Sequence, residues 1–271
     1  MQRRLPKISI YTIFSIFAVV MLIPYVWMIL LSFKSQKEIM SASTFLPEVW
    51  TTQNYIKVFE TVPMVNWLFN SLIVAGAATA IVLFTSTLVG FVFAKYRFRY
   101  KNIIFWFILA TMMIPPQTTM VTSFMLIYNL GLYDKLPALF VAGMVWGFGI
   151  FLCRQFIEDL PDSLCEAALM DGANSFYIYW KIILPLIRPA IGALGIFTFL
   201  MYWNEYMLPL LYISDPKNMT LSLAISFFST QRTTDVGAIM AVATLVMLPV
   251  TIVFLAFQKQ FIKSVAMTGG K

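Results

Sequence analysis

Histidine is absent from this chain of 271 residues, cysteine occurs twice, and only 12 residues are acidic. Without histidine the commonest metal ligand and the usual general base are missing. The carboxylates are scattered among loops with no ligand-like spacing, so catalysis within the chain is not expected. Cys153 and Cys165 are too few for a disulfide framework and read as small packing residues. The one Gly-Lys pair, Gly270-Lys271, has no following Ser/Thr and no helix to open, which excludes a phosphate-binding loop. Charge is scarce as well. Charged residues make up 11% of the chain against 60% hydrophobic ones, and the mean hydropathy is +0.82. Such a composition belongs in a bilayer and not in water.

What the chain does have is long uncharged runs. They cover residues 8–33, 61–94, 102–133, 136–153 and 236–258, and a sixth, 189–214, is interrupted by Glu205 alone. A helix needs about 20 residues at about 1.5 Å each to cross a hydrocarbon core about 30 Å thick. Every run except 136–153 meets this, and that one can borrow its flanks. Backbone polar groups in lipid must be satisfied within the protein, and uninterrupted apolar runs fit helices better than alternating strands. The expected fold is therefore all-α with six transmembrane helices.

Orientation follows from the 19 basic residues. Thirteen fall on one side: Arg3, Arg4 and Lys7; Lys95, Arg97, Arg99 and Lys101; Arg154, Lys181 and Arg188; Lys259, Lys263 and Lys271. The other side holds Lys34, Lys37, Lys57, Lys135, Lys217 and Arg232. Both termini and residues 154–188 are expected to be cytoplasmic, and the net charge of +7 reflects this topology, not nucleic-acid binding. The first run lacks an A-x-A-like cleavage site and reads as a retained helix. The organisation predicted is a short, peripherally packed N-terminal helix (1–33), an extracytoplasmic loop (34–66), a five-helix core (67–262) and a tail (263–271) that frays.

Residues 154–188 depart from the lipid-directed pattern. Glu158, Asp159, Asp162, Glu166 and Asp171 outnumber Arg154, Lys181 and Arg188, although an anionic membrane surface attracts basic loops. A partner other than lipid is expected here. Locally the segment codes for helix, turn, helix: Ser163-x-x-Glu166 matches a capping box, Gly172 sits where a helix ends, and Asn174 can cap a second helix running to about Leu184, where Pro185 stops it. The aromatics Phe176, Tyr177, Tyr179 and Trp180 suit the membrane interface.

The full spacing is Glu166-Ala167-Ala168, three residues, Gly172, nine residues, Ile182, one residue, Leu184-Pro185. This resembles the EAA loop of the permease subunits of binding-protein-dependent ABC importers. "NSLIVAGAATA", "AKYRFRYKN", "MMIPPQTTM", "FTFLMYWNEYMLPL" and "FQKQFIKSVAMTGGK" extend the likeness along most of the chain and favour the carbohydrate branch, in particular the smaller maltose-type permease. The resemblance implies a type I importer permease that forms half of a sugar pathway. The partners it implies are a second homologous permease, two cytoplasmic ATPases that bind ATP and Mg, and an extracytoplasmic sugar-binding protein. It also implies that Glu166, Ala167, Ala168, Asp171, Gly172, Leu184 and Pro185 couple the chain to the ATPase. No cofactor is expected in the chain itself.

Sugars are held by aromatic faces and neutral polar groups, so Tyr202, Trp203, Asn204 and Glu205, the most polar intramembrane cluster, and Gln117 beside Pro115-Pro116 are the candidate path residues. Gly143-x-x-x-Gly147 and Gly76-x-x-x-Ala80 would let helices approach closely. The rival class is an ion-coupled secondary transporter or channel, which calls for several intramembrane titratable groups where this chain offers Glu205 alone. The topology is testable. A cysteine introduced by Thr51→Cys should react with a membrane-impermeant thiol reagent in intact cells; reaction only after lysis would invert the orientation.

Overall fold

A computed structural model of the chain describes residues 7–41, 44–229 and 235–268. Arg3, Arg4, Arg232 and the last three residues of the tail, named above, lie outside the described residues. Among the described residues only helices and connections occur. In chain order the helices are α1 (Lys7–Ser32), α2 (Gln36–Ser41), α3 (Gln53–Thr61), α4 (Met64–Lys95), α5 (Lys101–Thr111), α6 (Met120–Asn129), α7 (Ala138–Val141) and α8 (Gly147–Glu158). There follow α9 (Ser163–Met170), α10 (Ser175–Tyr177), α11 (Leu184–Leu186), α12 (Arg188–Trp203), α13 (Met207–Tyr212), α14 (Leu221–Ser229) and α15 (Val236–Thr268).

Three of these contain stretches long and apolar enough to cross a bilayer unaided: α1, α4 and α15. α1 is 26 residues long, longer than the short helix expected, and its side chains from Tyr11 to Trp27 are exposed all round, as a lipid-facing helix requires. The 102–133 run is delivered as α5 and α6, bent by 92° around a 3₁₀ turn at Pro116–Thr119. A second bend of 81° separates Ser175–Leu186 from α12. Counting each bent pair as one span brings the total to five. The short expected run, 136–153, is not one helix: it divides into α7 and α8 around an extended Trp146.

Two of these breaks are closed by side-chain hydroxyls. At the diproline, the Pro115 carbonyl accepts from the Thr118 backbone (3.0 Å) and hydroxyl (2.7 Å), and Thr119 donates to the Pro116 carbonyl. Between α7 and α8 the Met144 carbonyl accepts from the Thr85 hydroxyl at 2.7 Å. An unpaired carbonyl in hydrocarbon would cost several kcal/mol, about the worth of a helix turn, so these hydroxyls make the breaks tolerable.

The chain divides into two compact units. One comprises Met1–Val65 with Leu223–Pro249. Within it Asn54 donates from its amide nitrogen to the carbonyls of Ser32 and Lys34, both at 2.8 Å, while Lys34 is itself buried and pairs with Glu38. Asp235 caps α15 through the Ala238 amide and pairs with Lys57.

The other unit comprises Asn66–Ser222 with Val250–Lys271. Its main core joins Phe91 of α4, Cys153 and Ile157 of α8, Tyr179 and Ile183, and Leu194 of α12. Gly90 is what lets α4 and α8 meet: a Cβ there would lie 2.8 Å from the Cys153 Cβ and 2.9 Å from the Arg154 backbone nitrogen. Of the two expected small-residue pairs, Gly143 and Gly147 do permit close approach, whereas Gly76 does not meet a neighbour. Gly143 stands against the Tyr202 hydroxyl and Gly147 against the Ile108 carbonyl, while Gly76 faces open space and lines, with Ala80, Gly192 and Gly195, an apolar groove of about 430 Å³.

Because backbone and not a flexible side-chain tip opposes Gly90, the helices must separate to admit a larger residue. Gly90→Val should destabilise the fold by about 1–3 kcal/mol, read as a lower melting temperature and reduced membrane-inserted yield.

Candidate functional site

The candidate site is the loop between α8 and α12. α9 begins after Pro161, but the capping box does not form: Asp162, not Ser163, occupies the N-cap, and its side chain makes no cap bond. That carboxylate is engaged elsewhere, accepting from Lys95 Nζ at 2.6 Å, and the bonded ammonium holds its carboxyl below the ordinary carboxylate range. α9 ends as expected at Gly172, in the left-handed region at φ +82°. The Gly172 amide bonds the Leu169 carbonyl (3.0 Å) and the Ala173 amide bonds the Ala168 carbonyl (2.9 Å). This is the double bond pattern of a Schellman turn, which satisfies the last carbonyls of α9 and defines the exit angle of the chain.

Asn174 caps the second helix as expected, its Oδ1 accepting from the Tyr177 amide at 2.8 Å. That helix then widens into a π turn at Ile178–Ile183 and continues through Pro185 to Leu186. The expected stop at Pro185 therefore falls two residues later. The wider turn lies just before the proline, whose missing N–H and bulky ring disrupt a regular ladder.

Exposure sorts the predicted residues. Glu166, Ala167, Asp171, Gly172 and Pro185 are exposed, Leu184 is half-buried, and Ala168 is buried in the core. Met170, 88% exposed, and Leu169 add an apolar patch to the same short helix. Asp171, Gly172, Asn174, Tyr177 and Lys181 line a concavity of about 580 Å³ at the turn. Cys165 is half-buried and its thiol is pushed up, by burial first, with Lys95 pulling the other way and the Asp162 and Glu166 carboxylates adding to the rise. Of the aromatics, Phe176, Tyr177 and Trp180 are exposed as the interface reading predicts, but Tyr179 is not. It is buried against Phe91 and bonded to Thr87 (2.8 Å). Sequence reasoning missed Thr87 and Lys95 because both sit more than 60 residues away with no local signal.

The path candidates differ in exposure. Tyr202 and Trp203 are buried at the end of α12, the Asn204 amide folds back on the Leu200 carbonyl (2.9 Å), and Gln117 is exposed on the 3₁₀ turn. Glu205 Oε1 accepts from the first two amides of α13, Met207 (2.9 Å) and Leu208 (3.1 Å), so its one charge is placed at a helix start.

The family described as "Binding-protein-dependent transport system inner membrane component" matches residues 86–267, two-thirds of the sequence. The chain belongs to that family. The permease is 31% identical over 280 residues to the arabinooligosaccharides transport system permease protein AraQ of Bacillus subtilis, with 100% of both chains covered. It is 29% identical over 269 residues to the diacetylchitobiose uptake system permease protein NgcG of Streptomyces coelicolor, covering 98% of this chain and 89% of the other. Its fold matches that of a chain in the crystal structure of a bacterial ABC transporter that imports the acidic polysaccharide alginate. The TM-score is 0.85 at 22% identity, over 96% of this chain and 99% of that one. It is thus an all-α, multi-pass inner membrane permease subunit, and the matched region takes in the whole loop and the last part of α4, from Ser86 to Lys95.

The cap geometry gives a test of Glu205 in this permease. Glu205→Ala should cost about 1 kcal/mol of stability through loss of the α13 cap. Glu205→Gln, whose amide oxygen still accepts, should keep most of the melting temperature and of the transport rate.

Proposed function

We propose that this permease forms half of the translocation pathway of an ATP-driven importer of sugars, whether mono- or oligosaccharides or related derivatives, and that α9 and its turn are the contact through which a cytoplasmic ATPase drives it. The observation that carries this reading is the construction of α9. Its outer face offers Glu166, Ala167, Met170 and Asp171, while Ala168 on its inner face is locked into the core. A small apolar patch rimmed by acids, on a helix whose two ends are fixed, fits a protein surface with basic groups and not lipid. The Schellman turn makes α9 and the following helix one piece, so a push on the former is delivered to the latter.

The sugar class is supported by what the relatives are named for, arabinooligosaccharides and diacetylchitobiose. A second, related permease supplies the other half of the pathway, two ATPases carry ATP and Mg, and an extracytoplasmic binding protein delivers substrate. Loop 154–188 and both termini face the cytoplasm, in keeping with the distribution of basic residues. Among the path candidates, Gln117 and Asn204 are the exposed pair and the better sugar contacts, since Tyr202 and Trp203 are buried and Glu205 holds α13.

Coupling by α9 has a direct test. Glu166→Lys reverses the rim charge and Ala167→Trp adds a wedge to the outer face, and neither touches the core. Both proteins should insert normally and lose at least tenfold in transport per inserted complex, with loss of ATPase co-purification or of substrate-stimulated hydrolysis. Full transport and stimulation in both would refute the assignment.

A further inference from the structure

The loop is seated on one face of α4. Thr87, Phe91 and Lys95 recur at intervals of four residues and so share a side of the helix. Thr87 donates its hydroxyl proton to the Leu83 carbonyl (2.7 Å), which leaves it to accept from Tyr179 across the buried 2.8 Å contact. The Phe91 ring lies 5.7 Å from that of Tyr179. Lys95, the last residue of α4, has a side chain only 6% exposed, and its ammonium donates at 2.6 Å both to the Leu160 carbonyl, where α8 has ended, and to Asp162, where α9 begins. The three residues thus hold both limbs of the loop.

The far end of α4 is held in the same manner. Asn70 donates to the carbonyls of Lys217 and Met219, both at 2.8 Å, Trp67 Nε1 donates to the Pro216 carbonyl (2.6 Å), and the Ser71 hydroxyl accepts from the Leu221 amide (2.8 Å). Segment 213–219 is in turn tied to the 131–135 turn, where Asp134 Oδ1 accepts from the amides of Ser214 and Asp215. From Asn70 to Lys95 the helix rises about 38 Å, longer than a hydrocarbon core of about 30 Å.

We propose that α4 is a strut that carries displacement of α9 across the membrane to the 213–221 segment, with Lys95 the positioning residue of its inner clamp and Asn70 that of its outer clamp. This rests on the reading of α9 as the ATPase contact. Of the two bonds made by Lys95, the one to Leu160 dominates. Asp162 is 76% exposed, where solvent screening leaves an ion pair little weight, whereas the backbone carbonyl of Leu160 meets an ammonium whose side chain is only 6% exposed.

The test uses the full importer complex. Lys95→Met keeps the aliphatic stem and removes the donors, and Asn70→Leu does the same at the far end. Each should leave insertion and ATPase co-purification unchanged while lowering transport per ATP hydrolysed about tenfold. Lys95→Arg should restore most of the loss, and Asp162→Asn should stay within about twofold of wild type. Sites this far apart ordinarily act independently, so two separate defects would multiply to about a hundredfold. Elements in series predict a double variant no worse than about tenfold. Wild-type coupling in Lys95→Met, loss of transport only in step with lost ATPase, or a hundredfold double effect would each overturn the strut. If Glu166→Lys and Ala167→Trp uncouple transport and Lys95→Met does not, the strut alone fails; if those two also transport normally, the ATPase contact itself is wrong.

Discussion

The constraint on which this structure depends is that hydrocarbon offers no hydrogen bonds. A helix meets that condition along its length and fails it wherever it breaks. This permease breaks its helices repeatedly, and side chains close several of the breaks: Thr118 and Thr119 at the diproline, Thr85 at Met144, Glu205 at the start of α13, and Trp67 and Asn70 at 216–219. Several of these donors come from α4. Satisfying the backbone therefore also ties that helix to its neighbours, and the same bonds that make irregular chain tolerable define which elements can move together.

The loop between α8 and α12 works by a different economy. Outside the membrane water can satisfy backbone groups, yet this segment satisfies its own, through the Schellman turn at Gly172 and the Asn174 cap. Self-sufficiency leaves the outer face of α9 with exposed groups that serve no internal purpose, as a contact surface requires. Rigidity comes from inside, where Ala168, Tyr179 and Ile183 join Phe91 and Leu194 in one core. The coupling role proposed for this loop needs both properties, and a floppy acidic loop would have only the first.

The amino-acid sequence by itself determined the class of the protein. Uncharged runs about a bilayer thick dictate helices, the scarcity of titratable groups argues against chemistry within the chain, and the spacing from Glu166 to Pro185 identifies the loop, because turn glycines and cap residues act within a few positions of one another. Where the signal was local but had more than one solution, the structure differs in detail: Asp162, its carboxylate bonded to Lys95, stands at the N-cap in place of Ser163, and the helix runs on through Pro185 after a wider turn. The remainder was decided only by the fold. Whether residues 136–153 cross as one helix depends on Tyr202 crowding Gly143 and on Thr85 reaching Met144, and the seat of the loop depends on Thr87, Phe91 and Lys95 meeting residues 65 to 92 positions away. Periodicity and capping report on neighbours along the chain, whereas a buried ammonium or hydroxyl is matched to whatever packing brings beside it, and no pattern in one sequence records that.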